Sequence, residues 1–262
     1  MHFNFLFVPQ AIIFDLRDTL LAVKAAYVQA NERLFGELKK LGAPLDELEY
    51  QSIIKPIPEQ LAKIHGRDEH FHDSTTAFVH LVLEAAKFPV PAETLQNLVA
   101  AHDTTFAQAV TLYSDADIVL PRLKAAGLKL GLVVDGTMRR ERQIMKHLNL
   151  AEVFNAIIIS EEVGENKLTI KPLWTALEQL GVAPPRAVVV GDREDHDIIP
   201  AKKLGCRAVK LVRPHPRFDK AAEPTAADAV VESLLELEKL IRNWTYARIN
   251  VTNSKIKTLN SN

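Results

Sequence analysis

The residues best suited to chemistry in this sequence are carboxylates that stand where apolar runs end. Asp15, Asp135 and Asp192 each follow such a run directly, and Asp197 lies five residues after Asp192. One aspartate in this position is more often a turn former or a helix N-cap than a catalyst. In open parallel sheets, however, ligands bind beyond the carboxyl ends of the strands. Several aspartates at successive strand ends therefore predict a shared site.

These carboxylates indicate chemistry that uses a cation. Like charges gathered at one sheet edge repel each other, so a site that holds Asp15, Asp192 and Asp197 requires positive charge. Hard oxygen ligands favour Mg²⁺, which in turn suggests phosphate. A carboxylate beside the metal can attack phosphorus and form an acyl phosphate, which divides one difficult displacement into two steps. Lys167 can hold the transferring oxygens as a point charge.

The elements that must position these residues are read from hydrophobic periodicity. Continuous apolar, β-branched runs suit strands that are covered on both faces, and helical patterns lie between them. The alternation predicts an α/β fold with a doubly wound, parallel, Rossmann-like sheet. After a first strand that ends at Asp15, strands are predicted at 128–134, 154–160, 186–192, 206–212 and 228–231.

One long segment interrupts the alternation. Residues 21–109 read at helical spacing throughout, with no strand among them. They predict an all-helical domain inserted into an α/β core that comprises residues 11–20 and 110–245. Residues 246–262 are polar and are expected to form a frayed C-terminal tail.

Composition excludes some partners. The 262 residues carry a formal charge of −1 and are 47% apolar, so the chain can bury a core but has no broad basic face for nucleic acid or an anionic membrane. No apolar segment reaches the roughly 18 residues that span a bilayer. The apolar N-terminal stretch lacks a preceding basic residue and is expected to lead into the first strand. The lone Cys206 favours a reducing compartment, and cytoplasm is the expected location.

Two motifs give the sequence a family resemblance. "FDLRDTL" matches an Asp-x-Asp-x-Thr pattern at Asp15 and Thr19, and "GDREDHD" matches Gly-Asp-x-x-x-x-Asp at Gly191, Asp192 and Asp197. The sequence resembles the haloacid dehalogenase superfamily, which consists mostly of phosphatases with an aspartate nucleophile. The resemblance implies that Asp15 is nucleophile and Mg²⁺ ligand, Asp192 is a ligand, and Asp197 supports the metal or the lysine. It also implies that residues 21–109 form a cap that closes over the site and selects the substrate.

The two remaining motifs of the family are found between these. Lys167 has the spacing of the family's lysine, 25 residues before Asp192, and we prefer it to Lys171. A phosphate-binding turn is expected at Val134, Asp135 and Gly136, but Val134 stands where the family has a Ser or Thr hydroxyl. The loss of one hydroxyl donor to a phosphate oxygen costs roughly 0.5–3 kcal/mol if nothing replaces it.

Arg17 departs from the family pattern at the position of the general acid and base. A guanidinium with a pKa above about 12 cannot act as a general base near neutral pH, and it is a very poor acid. By resemblance, only the backbone carbonyl of residue 17 contacts the metal, so Arg17 leaves that contact possible. Its side chain has three interpretations. It pairs with Asp15 or Asp18 in a site no longer used for hydrolysis, it binds an anion, or it marks the dehalogenase branch, where the nucleophile attacks carbon.

The function predicted from these residues is Mg²⁺-dependent hydrolysis of small phosphorylated metabolites through an aspartyl phosphate, with turnover impaired by Arg17. The leading alternative is a weak or inactive family member that binds a phosphorylated ligand or a protein partner. A 2-haloacid dehalogenase ranks last, because Asp192 and Asp197 are retained. The sequence identifies neither the substrate nor the oligomeric state.

A basic cluster and several histidines are expected to have structural or substrate-lining roles. The basic cluster "RRER", residues 139–142, is expected to form a solvated helix face. Five histidines fall in the insert, and they are expected to face solvent or line the substrate site, since nearby cysteine ligands are absent. These histidines are His65, His70, His72, His80 and His102.

Overall fold

The computed structural model describes residues 7–213 and 224–245. The strands are β1 (Ala11–Phe14), β2 (Leu21–Ala22), β3 (Thr111–Leu112), β4 (Lys129–Val134), β5 (Ala156–Ile159), β6 (Ala187–Gly191), β7 (Arg207–Leu211) and β8 (Ala229–Val231). Six of them form one sheet in the order β5-β4-β1-β6-β7-β8, and every adjacent pair is parallel. The predicted α/β fold with a parallel sheet is confirmed. The predicted polar tail, 246–262, lies outside the described residues.

Helices separate the strands and extend the fold between β2 and β3. They are α1 (Lys24–Lys40), α2 (Glu47–Ile54), α3 (Ile57–His65), α4 (Ser74–Ala85), α5 (Ala92–Ala109), α6 (Ser114–Ala125), α7 (Met138–His147), α8 (Ser160–Val163), α9 (Lys171–Leu180) and α10 (Ile199–Leu204). A π-helical turn, Glu194–Ile198, directly precedes α10, and residues 234–245 are helical. None of the described helices is long and apolar enough to cross a membrane.

The alternation of side chains along β1 shows why the sheet is buried on both faces. Ile12 and Phe14 pack into one hydrophobic cluster, with side chains of α6 and α7. Ala11 and Ile13 point the other way, into a cluster that includes α9. All four residues are fully or almost fully buried. A strand without a polar face therefore suits the centre of a sheet that is covered by helices on both sides.

The helical insert comprises α1–α5, and it has a hydrophobic cluster of its own. Tyr50, Phe78 and Val82 are buried there, away from the sheet. The prediction that residues 21–109 contain no strand is wrong at its first two positions. Leu21 and Ala22 form β2, which pairs with β3 in antiparallel register, so the chain leaves and re-enters the core through a two-stranded ribbon. Two-residue strands are too short to give a periodic signal in sequence.

Neighbouring strands bring the candidate residues to one edge of the sheet. β1 lies between β4 and β6, and these three strands end immediately before Asp15, Asp135 and Asp192. The Asp15 backbone N–H donates to the carbonyl of Val190 at 2.8 Å, which extends the strand pairing to the aspartate itself. The loops that follow these strands converge on one region, as expected for parallel strands.

A buried ion pair joins Arg213, which follows β7, to Asp115 in α6. Arg213 Nη1 and Nη2 donate to the carboxylate of Asp115 at 2.7 and 2.9 Å, and Nη2 also donates to the carbonyl of Thr19 at 2.8 Å. The guanidinium lies 4.0 Å from the ring centre of Tyr113. Asp115 further accepts a hydrogen bond from the backbone of Leu234 at 2.8 Å. The pair thus joins the first turn after β1, α6 and the C-terminal helix.

We expect Asp115→Ala to destabilise the protein by about 3 kcal/mol, because it leaves the Arg213 charge buried without its partner. The change is measured as the free energy of unfolding in urea. Asp117 lies exposed on the same helix, so Asp117→Ala is a matched control that should cost less than about 1 kcal/mol. Equal losses in the two variants would contradict this account.

Candidate active site

Lys167 is the cation at the centre of the candidate site. Its Nζ donates to Asp197 Oδ1 at 2.8 Å and also contacts Asp15 Oδ1. Its backbone N–H donates to Asp135 Oδ1 at 2.9 Å. Burial would lower the pKa of Lys167, but the charges of these aspartates outweigh burial and raise it. The ammonium therefore stays protonated, and the structure brings Lys167 together with Asp15 and Asp197. Lys171 is instead half exposed and pairs with Glu165.

Three carboxylates surround this lysine. Asp15, Asp192 and Asp197 are all buried, and each offers an oxygen within 4.8 Å of those of the other two. Burial, and then the charges of Asp15 and Asp197, raise the pKa of Asp192 well above the ordinary carboxyl range. Burial also raises the pKa of Asp197 to about 6, although Lys167 opposes the shift. One ammonium does not balance three carboxylates at this separation.

The π-helical turn after β6 places Asp197 in the cluster. The Asp197 Oδ2 accepts a hydrogen bond from the backbone N–H of Arg193 at 3.0 Å. A Cβ built on Gly191 would lie 2.2 Å from Asp197 Cγ, closer than any real contact of that kind. Glycine is required at 191 because the carboxylate of Asp197 occupies the space where a side chain would be. Packing thus explains the glycine of the Gly-Asp pair in this motif.

The carboxylate cluster fits a divalent cation. Its donor atoms are carboxylate oxygens, which are the ligands that Mg²⁺ prefers. The raised pKa of Asp192 shows that the chain alone leaves excess negative charge. Asp15, Asp192 and Asp197 are the residues that would hold Mg²⁺. By the resemblance, the backbone carbonyl of residue 17 would join them.

Arg17 pairs with Glu141, a residue far from it in the sequence. Its Nη2 forms an ion pair with Glu141 Oε1, and its Nη1 donates to the backbone carbonyl of Asp135 at 2.9 Å. This partner is neither Asp15 nor Asp18, the two residues named in the first of the three interpretations of Arg17. Glu141 lies on α7 and is completely buried. Burial would lower the pKa of Arg17, but Glu141 outweighs burial and raises it, so the guanidinium is fixed as a cation.

A glycine makes room for this ion pair. A Cβ on Gly136 would lie 2.2 Å from Glu141 Oε1, so any larger residue would displace the carboxylate. The Gly136 backbone N–H donates to Ser160 Oγ at 3.1 Å. The Val134 side chain is buried in the hydrophobic cluster of the sheet. Of the predicted phosphate-binding turn, Asp135 contributes to the cavity, and it lies beside Lys167.

A cavity of about 690 Å³ lies between the insert and the sheet edge. Its polar end contains Asp15, Arg17, Asp135, Lys167 and Asp192. Its lining also includes side chains of the insert, many of them apolar: Val23, Tyr27, Val28, Asn31, Leu61, Phe71 and Phe78. The volume is in the range of pockets that enclose small molecules. Of the five histidines of the insert, His65, His72 and His102 line the cavity, whereas His70 and His80 are exposed.

Comparison with known proteins identifies the family. The family model for haloacid dehalogenase-like hydrolases matches residues 12–211, which is most of the chain. The chain belongs to the haloacid dehalogenase-like hydrolase family. The match runs from β1 to the end of β7, and so includes the carboxylate cluster, Lys167 and the helical insert.

Curated relatives in this hydrolase family are phosphatases. The chain is 30% identical over 204 residues to a glyceraldehyde 3-phosphate phosphatase of Methanopyrus kandleri, covering 78% of this chain and 84% of that protein. It is 27% identical to the corresponding phosphatase of Methanocaldococcus jannaschii, with 89% and 97% covered. A shorter match, 34% identical over 43% of this chain and 45% of the relative, is to a phosphoserine phosphatase of Thermus thermophilus.

Solved structures of the same family share the fold. A haloacid dehalogenase-type phosphatase of Thermococcus onnurineus superposes with a TM-score of 0.64 at 24% identity, covering 88% of this chain and 97% of that one. A 2-haloacid dehalogenase of Pseudomonas syringae superposes with a TM-score of 0.66 at 22% identity, covering 90% and 100%. At these identities the likeness establishes the hydrolase fold and does not separate phosphatase from dehalogenase.

Sequence reasoning missed three buried residues of this hydrolase, Arg140, Glu141 and His196. Glu141 was read as part of a solvated basic face, but Arg140 and Glu141 are both buried, so that interpretation is wrong for half of the cluster. Arg140 packs over Phe106 and donates to Thr75 Oγ1 at 2.8 Å, and these contacts hold the insert against α7. The sequence signal for the buried Glu141 was an acidic residue within a basic run. His196, inside "GDREDHD", was passed over because the motif pattern leaves that position free.

We expect Asp192→Asn to stabilise the metal-free protein. Because the pKa of Asp192 is raised in the folded state, stability is lost as pH rises through the carboxyl range, and asparagine removes this loss. At about pH 8 the variant should gain at least about 1.4 kcal/mol, the equivalent of one pKa unit. The gain should vanish near pH 3, where both states are protonated. The measurement is urea unfolding with a chelator present.

Asp195 supplies the opposite control in the same turn. Burial would raise the pKa of Asp195, but its hydrogen-bonding and charged partners outweigh burial and lower that pKa. The carboxylate of Asp195 accepts hydrogen bonds from Arg193 Nε at 3.0 Å and Arg193 Nη2 at 2.7 Å. Asp195→Asn should therefore reduce stability at the pH where Asp192→Asn increases it. A loss of stability in both variants would show that repulsion does not dominate at Asp192.

Proposed function

We propose that this hydrolase cleaves phosphomonoesters of small metabolites in a Mg²⁺-dependent reaction with an aspartyl-phosphate intermediate on Asp15. The single observation that carries the proposal is the convergence of Asp15, Lys167 and Asp192 at the polar end of a cavity of small-molecule size, with Asp197 bonded to Lys167 behind them. The curated relatives, which are phosphatases of small phosphorylated metabolites, support it.

The residues would divide the work as follows. A carboxylate oxygen of Asp15 attacks phosphorus, the bond from phosphorus to the ester oxygen breaks, and that oxygen takes up a proton from water as it leaves. Water then attacks the acyl phosphate, which releases inorganic phosphate and regenerates Asp15. Lys167 holds the transferring oxygens, and a Mg²⁺ ion bound by the carboxylates would neutralise their charge when present. Asp197 keeps Lys167 in place through the hydrogen bond at 2.8 Å.

Arg17 would make this reaction slow. Neither the leaving oxygen nor the attacking water can exchange a proton with a guanidinium that Glu141 holds as a cation. General acid and base assistance typically contributes about 10²–10⁴ in rate, so its loss lowers turnover by a factor in that range. The substrate would be a compact phosphate ester. Three-carbon phosphates, phosphoserine and phosphoglycolate are suitable candidates, given the relatives.

The proposal is tested by phosphate release from this panel with the native chain and Asp15→Asn. We expect slow, Mg²⁺-dependent release by the native chain and none by Asp15→Asn, because the nucleophile is lost. Asp117→Asn changes an exposed carboxylate on α6 and should release phosphate at the native rate. If the native chain binds a phosphate ester but releases nothing, the alternative of a binding protein is supported. Release of halide from a 2-haloacid would instead support the dehalogenase.

A second experiment tests the account of Arg17. Arg17→Asp alone would place a new carboxylate beside Glu141 and remove the cation that Glu141 needs, with an expected loss of about 3 kcal/mol in stability. Arg17→Asp combined with Glu141→Gln avoids both problems, because glutamine keeps the shape of Glu141 without its charge. We expect the double variant to recover stability and to hydrolyse its best substrate at least about 10²-fold faster than the native chain.

The two single variants complete the cycle. Glu141→Gln alone should not raise turnover, because Arg17 remains, and Arg17→Asp alone should gain less than the double variant. The outcome that contradicts this account is brisk turnover by the native chain, or a double variant that folds, binds substrate and gains nothing.

A further inference from the structure

Two histidines from different parts of the fold meet at Asp135. His65 is the last residue of α3 in the insert, and His196 lies in the π-helical turn after β6. Their ring centres are 4.5 Å apart. His65 Nε2 lies 3.4 Å from Asp135 Oδ2, and His196 Nε2 lies 3.7 Å from the same oxygen. All three side chains line the cavity.

Some polar atoms of this cluster are buried without hydrogen bonds, although Asp135 Oδ1 accepts from the Lys167 backbone and His65 Nδ1 accepts from Arg193. Among the described residues, neither ring nitrogen of His196 has a hydrogen-bond partner, and the same is true of Asp135 Oδ2. The His196 side chain is completely buried. A buried polar group without a partner destabilises the folded state. A ligand with positive charge would satisfy the unpaired atoms of this cluster.

The spacing fits a transition-metal ion. With metal–ligand bonds of about 2.0–2.1 Å, two ligands of a tetrahedral Zn²⁺ ion are separated by about 3.3–3.4 Å. The distances of 3.4 and 3.7 Å from Asp135 to the two imidazoles are close to that separation. His196 Nδ1 also lies 3.0 Å from Asp195 Oδ1, where a small rotation would give the carboxylate partner that metal-bound histidines usually have.

We propose that His65, Asp135 and His196 form a binding site for a borderline transition-metal ion such as Zn²⁺, with the fourth position open to the cavity. The site shares no residue with the cluster of Asp15, Asp192 and Asp197, and it differs from that cluster in offering two imidazole nitrogens. Imidazole favours Zn²⁺, Ni²⁺ or Cu²⁺ over Mg²⁺, which prefers oxygen. Within one molecule, therefore, two sites would select different metals.

Occupation of this site would hold the insert against the core. His65 belongs to the insert, whereas Asp135 and His196 follow strands of the sheet, so one ion would bridge the two. It would also engage Asp135 beside Lys167, at the polar end of the cavity. Zn²⁺ bound here would close the insert and obstruct the approach of substrate, and would thus act as an inhibitor.

One contact opposes metal binding. Arg193 Nη1 donates to His65 Nδ1 at 3.3 Å, which leaves the proton of a neutral His65 ring on Nε2. Coordination through Nε2 requires this proton to leave and Arg193 to turn away. The site is consequently not fully prepared, and its affinity is lower than that of a preformed structural Zn²⁺ site.

The test is a titration of the whole chain with Co²⁺ in the presence of excess Mg²⁺. Tetrahedral Co²⁺ with nitrogen ligands has a visible absorption that does not depend on catalysis. We expect one Co²⁺ per chain, displaced by Zn²⁺, and at least about ten-fold weaker binding in His65→Ala. His65 is partly exposed, so this variant should fold, which its circular dichroism would verify. His196→Gln should weaken binding in the same way.

Two controls locate the ion. His80→Ala removes an exposed histidine from α4 in the same insert and should leave the affinity for Co²⁺ unchanged. Asp192→Asn, in the carboxylate cluster, should also leave the Co²⁺ absorption intact. The proposal is overturned if His65→Ala binds Co²⁺ as tightly as the native chain, if Asp192→Asn abolishes the absorption, or if the native chain shows no tetrahedral Co²⁺ signal.

Discussion

The site depends on electrostatic repulsion among carboxylates that the fold forces together. Asp15 and Asp192 follow adjacent parallel strands, and Asp197 reaches them from a π-helical turn over Gly191. Hydrogen bonds from Lys167 and from the backbone of Arg193 keep the cluster together at the cost of a raised pKa at Asp192 and Asp197. An arrangement with excess buried negative charge is poor for stability by itself, and it favours the binding of a cation.

Arg17, which stands where the family motif has an aspartate, is accommodated by its surroundings. A guanidinium at this place requires a buried carboxylate nearby, and Glu141 supplies it. Glu141 in turn requires the absence of a side chain at Gly136. Arg17, Glu141 and Gly136 therefore act as a unit, and changing one of them alone leaves either a charge unpaired or a clash. These three residues fit one another.

Local patterns predicted much of the fold and part of the site. The strands were visible because each is a short continuous apolar run, and Asp15, Lys167, Asp192 and Asp197 follow from such runs and from motif spacing. Contacts between distant residues could not be read this way. Arg17 and Glu141 are 124 residues apart, and no periodicity joins them. His65 and His196 likewise meet only because the insert folds over the sheet, which a pattern within either segment cannot show.

Helix α1 belongs to two hydrophobic clusters at once. Ala26 and Ala30, in its first half, pack into the cluster on the sheet, whereas Leu34 and Leu38, in its second half, pack into the cluster of the insert. One helix therefore packs into both hydrophobic clusters, and unfolding of either cluster removes packing contacts from the helix that the other cluster needs. The insert has its own packed interior, yet it should melt together with the sheet in one cooperative transition.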